Sequence, residues 1–245
     1  MKSINDLRSE LSESQLKAFN SAVTVMNPEE KSFSGKPLRM FVHGGPGTGK
    51  SHLVKKLKDF AALYGKSVKC MSISGCAAKL IGGVTCHSAA ALRLAMPEEG
   101  DLNEPKKRQL VQRKMRDKHR EPVWLYIIDE ISMMDADLFA ILSERIGLLH
   151  SSPGSLNEKL SFGGAHVIIV GDMLQIGAVK HASLHKDCVD MTMGRLHRDN
   201  CTQRRMHGIE LFQQFQKFEL EPHVNGRSQD RQHSENIRRI RIGNR

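Results

Sequence analysis

Aromatic side chains are scarce, with nine Phe, two Tyr and one Trp in 245 residues. A surface built mainly from rings stacked on bases is therefore excluded. The five cysteines (Cys70, Cys76, Cys86, Cys188 and Cys201) form no C-x-x-C pair and show no zinc spacing with histidine. An odd count without a secretory leader fits reduced thiols inside a cell, most of them serving as small buried hydrophobes. The opening MKSINDLRSELSESQ is polar and lacks the apolar centre of a signal segment. No run reaches the roughly 18 apolar residues of a membrane span. The expectation is a soluble intracellular protein without a membrane partner, nuclear if its source is eukaryotic. There is no internal repeat. Acidic charge is in the minority: 37 Lys and Arg stand against 27 Asp and Glu, a formal net charge of +10. That balance favours a polyanionic partner.

The chain is organised around Gly44 to Ser51, GGPGTGKS, which fits G-x-x-x-x-G-K-[ST] at every fixed position. Glycines let backbone N–H groups turn inward around phosphate oxygens. Lys50 brings a cation to the β- and γ-phosphates, and the Ser51 hydroxyl can ligate Mg²⁺. An apolar run, Leu38 to His43, precedes the loop. A helical stripe of Leu53, Val54, Leu57, Phe60, Ala61 and Leu63 follows it, stopped by Gly65. Strand, loop and helix N-terminus thus occur in the order a nucleoside-triphosphate site needs. The phosphate-binding candidates are Gly44, Gly45, Pro46, Gly47, Thr48, Gly49, Lys50 and Ser51.

Upstream, Leu11 to Val25 reads as a helix with Leu16, Phe19 and Val23 on one stripe. Ser12 and Gln15 match S-x-x-Q, and a capping box suffices to explain both. The alternative is a Gln15 amide that reads an adenine edge. Ser67 to Ile73 reads as a second buried strand, running into a loop rich in small residues, Ser74 to Ser88. Such a loop lies at the carboxyl edge of an open α/β sheet, where ligands bind. Pro105 to Arg120 holds eight Lys or Arg in sixteen residues. It is either a solvated helix face or a phosphate-contacting patch with steep salt dependence. Val123 to Ile128 is a continuous apolar run, as expected of a parallel strand buried on both faces. It delivers Asp129 and Glu130 to its carboxyl end, one to hold Mg²⁺ beside Ser51 and the other to polarise the attacking water. Asp135 then caps a helix striped with Leu138, Ile141, Leu142, Ile146 and Leu149. A further buried strand, Ala165 to Val170, ends in Gly171-Asp172, with Gln175 placed to sense the γ-phosphate. Leu211 to Leu220 reads as one amphipathic element.

These motifs resemble those of superfamily-1 DNA helicases of the Pif family, which includes the Helitron helicases. L-S-x-x-Q-x-x-A from Leu11 to Ala18 is similar to the family's Q motif, and FVHGGPGTGKS to its motif I. Gly82 to Ser88, GGVTCHS, resembles the end of motif Ia, which implies that Thr85, His87 and Ser88 lie near single-stranded DNA. IIDEISMMD, Ile127 to Asp135, resembles motif II, and FGGAHVIIVGDMLQI, Phe162 to Ile176, motif III. Asn225 to Arg227, with Asp230 and Ile237 to Gly243, is similar to the motif IV region, where Arg227 would reach the γ-phosphate.

The resemblance implies an α/β, three-layer RecA-like ATPase with a mainly parallel sheet. It implies ATP as substrate, Mg²⁺ as cofactor, and single-stranded DNA and duplex junctions as partners. Lys50, Asp129, Glu130, Gln175 and Arg227 become the catalytic set, Gln15 an adenine contact, and Ser51 and Asp129 the metal partners. Residues 1–36 form a Q-motif-like helix and linker. Residues 37–180 form the ATPase core with a basic insertion around 97–121, and 181–245 its C-terminal part. Two departures stand out. Gly177-Ala178 replaces the two prolines usual after motif III, and the family's second RecA-like domain has no counterpart here. One catalytic arginine is worth roughly 10³–10⁵ in rate, so a half-site is expected to bind ATP but turn it over slowly. The implied activity is ATP-driven, 5′-to-3′ DNA unwinding in repair, recombination or telomere upkeep. A catalytically weak DNA-binding remnant and a RecD-like recombination ATPase are the alternatives.

Overall fold

The computed structural model describes residues 3–27, 29, 35–92, 104–118, 123–150, 155–173 and 182–221. Four buried runs, two residues from the 74–88 segment and one short late segment become the strands β1 (Arg39–His43), β2 (Val68–Ser72), β3 (Val84–Thr85), β4 (Leu125–Asp129), β5 (His166–Gly171) and β6 (Gln216–Glu219). They form one sheet in the order β3-β2-β4-β5-β1-β6. Every pairing among them is parallel. The sheet is covered on both faces, which is why β4 and β5 read as unbroken hydrophobic runs.

One face packs against α1 (Ile4–Ser9), α2 (Glu13–Met26) and α3 (Lys50–Leu63), whose apolar stripes meet Met40, Val42, Leu125, Ile127, Ile168 and Val170. The other face packs against α5 (Cys86–Ala89), α7 (Ala136–His150), α8 (Leu184–Thr192) and α9 (Gln203–Gln213), with α6 (Pro105–Lys118) lying on α7, while α4 (Gly75–Leu80) sits beside β2 and β3, its C-cap Ile81 packed on the α3 side. There Phe41, Tyr126, Ile128, Val167 and Ile169 meet Phe139, Leu142, Phe212 and Phe215. This is a three-layer α/β architecture.

The expected elements occur within a residue or two of their sequence bounds, with three differences. The buried stripe of α2 runs through Gln15, Ala18, Phe19, Ala22, Val23 and Met26, with Leu16 to one side. Residues 74–88, read as a loop, contain α4, β3 and α5. Ser74 Oγ accepts from Ala77 N and Thr85 Oγ1 from Ser88 N, so each short helix starts on its own cap. Residues 211–220 are two elements, because the chain turns at Gln214 and Phe215 before β6 adds to the edge of β1.

Phe162-Gly163-Gly164 has a structural reason. Gly163 has φ +59°, and a Cβ there would lie 2.9 Å from both the Gly147 Cα and its carbonyl oxygen. The half-buried Arg39 guanidinium holds this turn, donating to the carbonyls of Ser161 and Ala165 and to Ser161 Oγ, and lies over the Phe162 ring at 5.1 Å. Among the described residues, no helix is long and apolar enough to cross a membrane.

Candidate nucleotide site

The carboxyl ends of β1, β4 and β5 meet on one edge, with β5 between the other two. In register, His43 of β1 lies opposite Gly171 of β5, and Asp129 of β4 opposite Ser72 of β2. The phosphate loop leaves β1 here. Gly47 and Gly49 have φ +80° and +83°, the left-handed conformation that turns consecutive N–H groups toward one side. Gly44 is needed for another reason, since a Cβ there would lie 2.8 Å from Thr48 Oγ1 and 2.9 Å from the Leu220 carbonyl. Thr48, almost fully buried, donates to the Gly45 carbonyl at 2.9 Å and closes the loop internally. Gly49 is the N-cap of α3 and supplies no side chain to the helix N-terminus.

Lys50 Nζ lies across the loop, donating to the carbonyls of Gly44 at 2.7 Å and Gly45 at 2.9 Å. It is close enough to Asp129 and Glu130 to lower the pKa of both. Burial outweighs that pull, and both carboxyls sit above their ordinary range. For Glu130, the neighbouring carboxylates of Asp129 and Asp172 push further in the same direction. Asp129 Oδ1 accepts from the Glu130 N–H at 2.9 Å. Glu130 itself has φ 58° and ψ 41°, a left-handed backbone on a non-glycine residue. Strain of this kind persists where the surroundings over-determine it, and it clusters at functional sites. Ser51 is exposed on the first turn of α3. One carboxylate and one hydroxyl fit a Mg²⁺ ion that completes its shell with water and phosphate oxygens.

Gln15 is 5% exposed and reaches the same loop. Its Oε1 accepts from Ser12 N at 3.1 Å, and its Nε2 donates to the carbonyls of Thr48 at 3.2 Å and Gly49 at 3.5 Å. Thr85, His87 and Ser88 lie on a single turn at the carboxyl end of the outermost strand β3, level with Asp129 across β2. The glycines before them serve packing: Gly82 has φ +63°, and a Cβ on Gly83 would lie 2.3 Å from the Cys70 carbonyl oxygen. Gln175, Gly177, Ala178 and Arg227, with the rest of the motif IV region, lie outside the described residues.

Sequence reasoning named Asp172 but gave it no role. It is 4% exposed, follows β5 directly, and acts electrostatically on both Glu130 and His43. The signal was present, since a carboxylate straight after a buried apolar strand is the pattern that singled out Asp129.

The family profile described as PIF1-like helicase matches residues 10–245. The ATP-dependent DNA helicase PIF3 of Trypanosoma brucei brucei is 32% identical over 170 residues, 67% of this chain and 18% of that protein. The ATP-dependent DNA helicase PIF1 of Candida albicans is 30% identical over 183 residues, 71% of this chain and 19% of that protein. Among solved structures, Pif1 helicase from Candida albicans superposes with a TM-score of 0.62 at 25% identity, covering 94% of this chain and 44% of that one. Bacteroides Pif1 in complex with ADP-AlF3 and single-stranded DNA shares the fold, with a TM-score of 0.62 at 21% identity over 96% of this chain and 47% of that one. The chain thus spans about a fifth of the length of these curated relatives and under half of the solved chains. With a RecA-like sheet, a phosphate loop and an acid pair at one edge, the chain belongs to the PIF1-like helicase family.

Proposed function

We propose that this chain binds and hydrolyses ATP as the phosphate-gripping part of a DNA helicase that moves 5′ to 3′ on single-stranded DNA. The observation that carries the reading is the meeting of Lys50, Asp129 and Glu130 at one sheet edge. On nucleotide binding, Lys50 exchanges the Gly44 and Gly45 carbonyls for β- and γ-phosphate oxygens, while the N–H groups of Gly47 to Ser51 surround the β-phosphate. Ser51 and Asp129 would hold Mg²⁺, which neutralises charge developing on the phosphates. Glu130 orients the attacking water and accepts its proton, a contribution of roughly 10²–10⁴ in rate. Gln175 senses the γ-phosphate and Arg227 stabilises its charge.

DNA is the polyanion for which the charge balance is suited. Lys106, Arg113, Lys114 and Arg116 are exposed on α6 and have no ion-pair partner among the described residues. Gln112 donates to the Leu148 carbonyl at 2.8 Å and Met115 is fully buried, so these cations face away from the body. Thr85, His87 and Ser88 contact the single strand. Work on DNA in repair, recombination or telomere upkeep is the corresponding biological role.

The test is ATP binding and single-strand-stimulated hydrolysis by the purified chain and by Lys50→Ala. Loss of both in the variant is expected. A Lys50→Ala protein that binds and hydrolyses ATP normally would remove the assignment. DNA binding without nucleotide binding in the parent chain would instead identify a non-catalytic remnant.

A further inference from the structure

Two strands carry their last residues to the nucleotide edge side by side. Ser72 closes β2 and lies in register with Asp129, which closes β4. Along β4, Leu125 and Ile127 belong to the core on the α3 side, and Tyr126 and Ile128 to the opposite one. Side chains alternate between faces along a strand, so Asp129 follows Ile127 to the α3 side. Along β2, Cys70 belongs to the α3-side core and Met71 to the other, which sends Ser72 to that same side. The two side chains are therefore neighbours on one face, on strands about 4.8 Å apart. This is the face covered by the helix that starts at Lys50 and Ser51. Ser72 is fully buried, and its Oγ has no hydrogen-bond partner among the described residues. Its backbone is held from both sides, by β4 and by Thr85 of β3.

A hydroxyl taken out of water without a partner disfavours the fold, and such a group calls for an explanation. Asp129 offers one. Its Oδ1 accepts from the Glu130 N–H at 2.9 Å, and this is its single hydrogen bond among the described residues. A carboxylate that faces a metal is steered by what its remaining lone pairs accept, and such supporting partners are worth roughly 10–100-fold in metal affinity. With the strand backbones fixed, a rotation about the Ser72 Cα–Cβ bond is the motion that moves Oγ relative to Asp129. We infer that Ser72 is a positioning residue whose hydroxyl donates to the Asp129 carboxylate when Mg·ATP is bound and fixes the direction that carboxylate faces. This rests on the proposed reading of the edge as a Mg·ATP site. The hydroxyl keeps its proton throughout. Its unfavourable burial falls on the nucleotide-free protein and is relieved on binding.

Ser72→Ala removes the hydroxyl, and Ser72→Cys fills the space with a much weaker donor. In both, the Kd of ATP in EDTA is expected to stay parental, whereas the Kd of Mg·ATP rises about tenfold, the lower end of the range for such partners. Without nucleotide, the melting temperature of Ser72→Ala is expected to equal or exceed that of the parent, because a buried hydroxyl with nothing to bond has been removed. Affinity for the metal complex falls while stability holds or rises, a split that a purely structural hydroxyl does not produce. A parental Mg·ATP affinity in Ser72→Ala overturns the role. So does an equal weakening of both forms of ATP, a loss in Ser72→Ala that Ser72→Cys does not share, or a lower melting temperature of nucleotide-free Ser72→Ala. Lys50→Ala reports separately on the loop, since it should weaken ATP with and without the metal. If it leaves both intact the loop reading fails, whereas a parental Mg·ATP affinity in Ser72→Ala removes the role of Ser72 alone.

Discussion

Glu130 pairs a strained backbone with an unfavourable charge. Its left-handed φ of 58° opposes the folded state, and its partial burial, with Asp129 and Asp172 beside it, opposes the ionised one. A carboxyl whose folded pKa exceeds its unfolded value binds protons more tightly when folded, so its charge is destabilising above the folded pKa. The penalty fades as pH falls through that value toward the ordinary 4.5. Glu130→Gln therefore separates function from stability. At neutral pH it should lower kcat for ATP by about 10²–10⁴. It should also raise the Tm at neutral pH by a small margin, because Glu130 is only half-buried and solvent screens its charge. The Tm gap between variant and parent should close as the buffer approaches pH 4.5; a variant less stable than the parent at neutral pH refutes the charge argument. Lys50, Asp129 and Glu130 were legible in the sequence because the chemistry demands particular residue types at fixed distances from a strand end. The contacts of Gln15 were not. Its partners lie far away in the chain, and S-x-x-Q already had a sufficient local explanation in a capping box, of which the Ser12 N–H to Gln15 Oε1 half is made.

Among the elements, the strands buried on both faces announced themselves as unbroken apolar runs, and α3 and α7 as stripes. The segment from Ser74 to Ser88 did not, because α4 has six residues, α5 four and β3 two, too few to display a period. The run from Leu211 to Leu220 misled differently. Leu211, Phe212 and Phe215 face one core and Leu220 the other, so a helix on one face and an edge strand of the sheet looked like a single amphipathic element. The helix α6 was legible in extent, but only its packing on α7 shows which cations face outward. Lys106→Gln, Arg113→Gln and Lys114→Gln together should flatten the plot of log affinity for single-stranded DNA against log salt by about two units, at about 0.7 per phosphate contact. ATP binding in the absence of DNA should be unaffected. An unaltered salt slope would return α6 to an ordinary solvated helix face.

For the whole molecule, the fold class followed from the alternation of apolar runs and helical stripes, whereas the order of strands did not, because nothing local tells β5 to lie between β4 and β1. That order makes the nucleotide site a property of the assembled sheet. A ligand gripped by groups from β1, β4 and α3 binds the folded state alone, so saturation stabilises the entire domain. Mg·ATP at one hundred times its Kd should add about 2.7 kcal/mol. This corresponds to roughly 5–10 °C in Tm. Lys50→Ala should show no such shift, and a parent chain whose Tm ignores Mg·ATP would contradict a shared site.

The sixth strand has a bearing on how the protein is made. Leu220 donates its N–H to the His43 carbonyl at 2.8 Å, and β6 pairs with β1 along its length, so the floor of the phosphate loop includes a segment some 175 residues downstream. On the ribosome, β1 and Lys50 emerge before both of their sheet neighbours, and after β5 pairs with one side the other flank stays bare, an open invitation to foreign strands. Competence to hold a triphosphate therefore arrives only when residues 216–220 leave the exit tunnel and seal the outer flank.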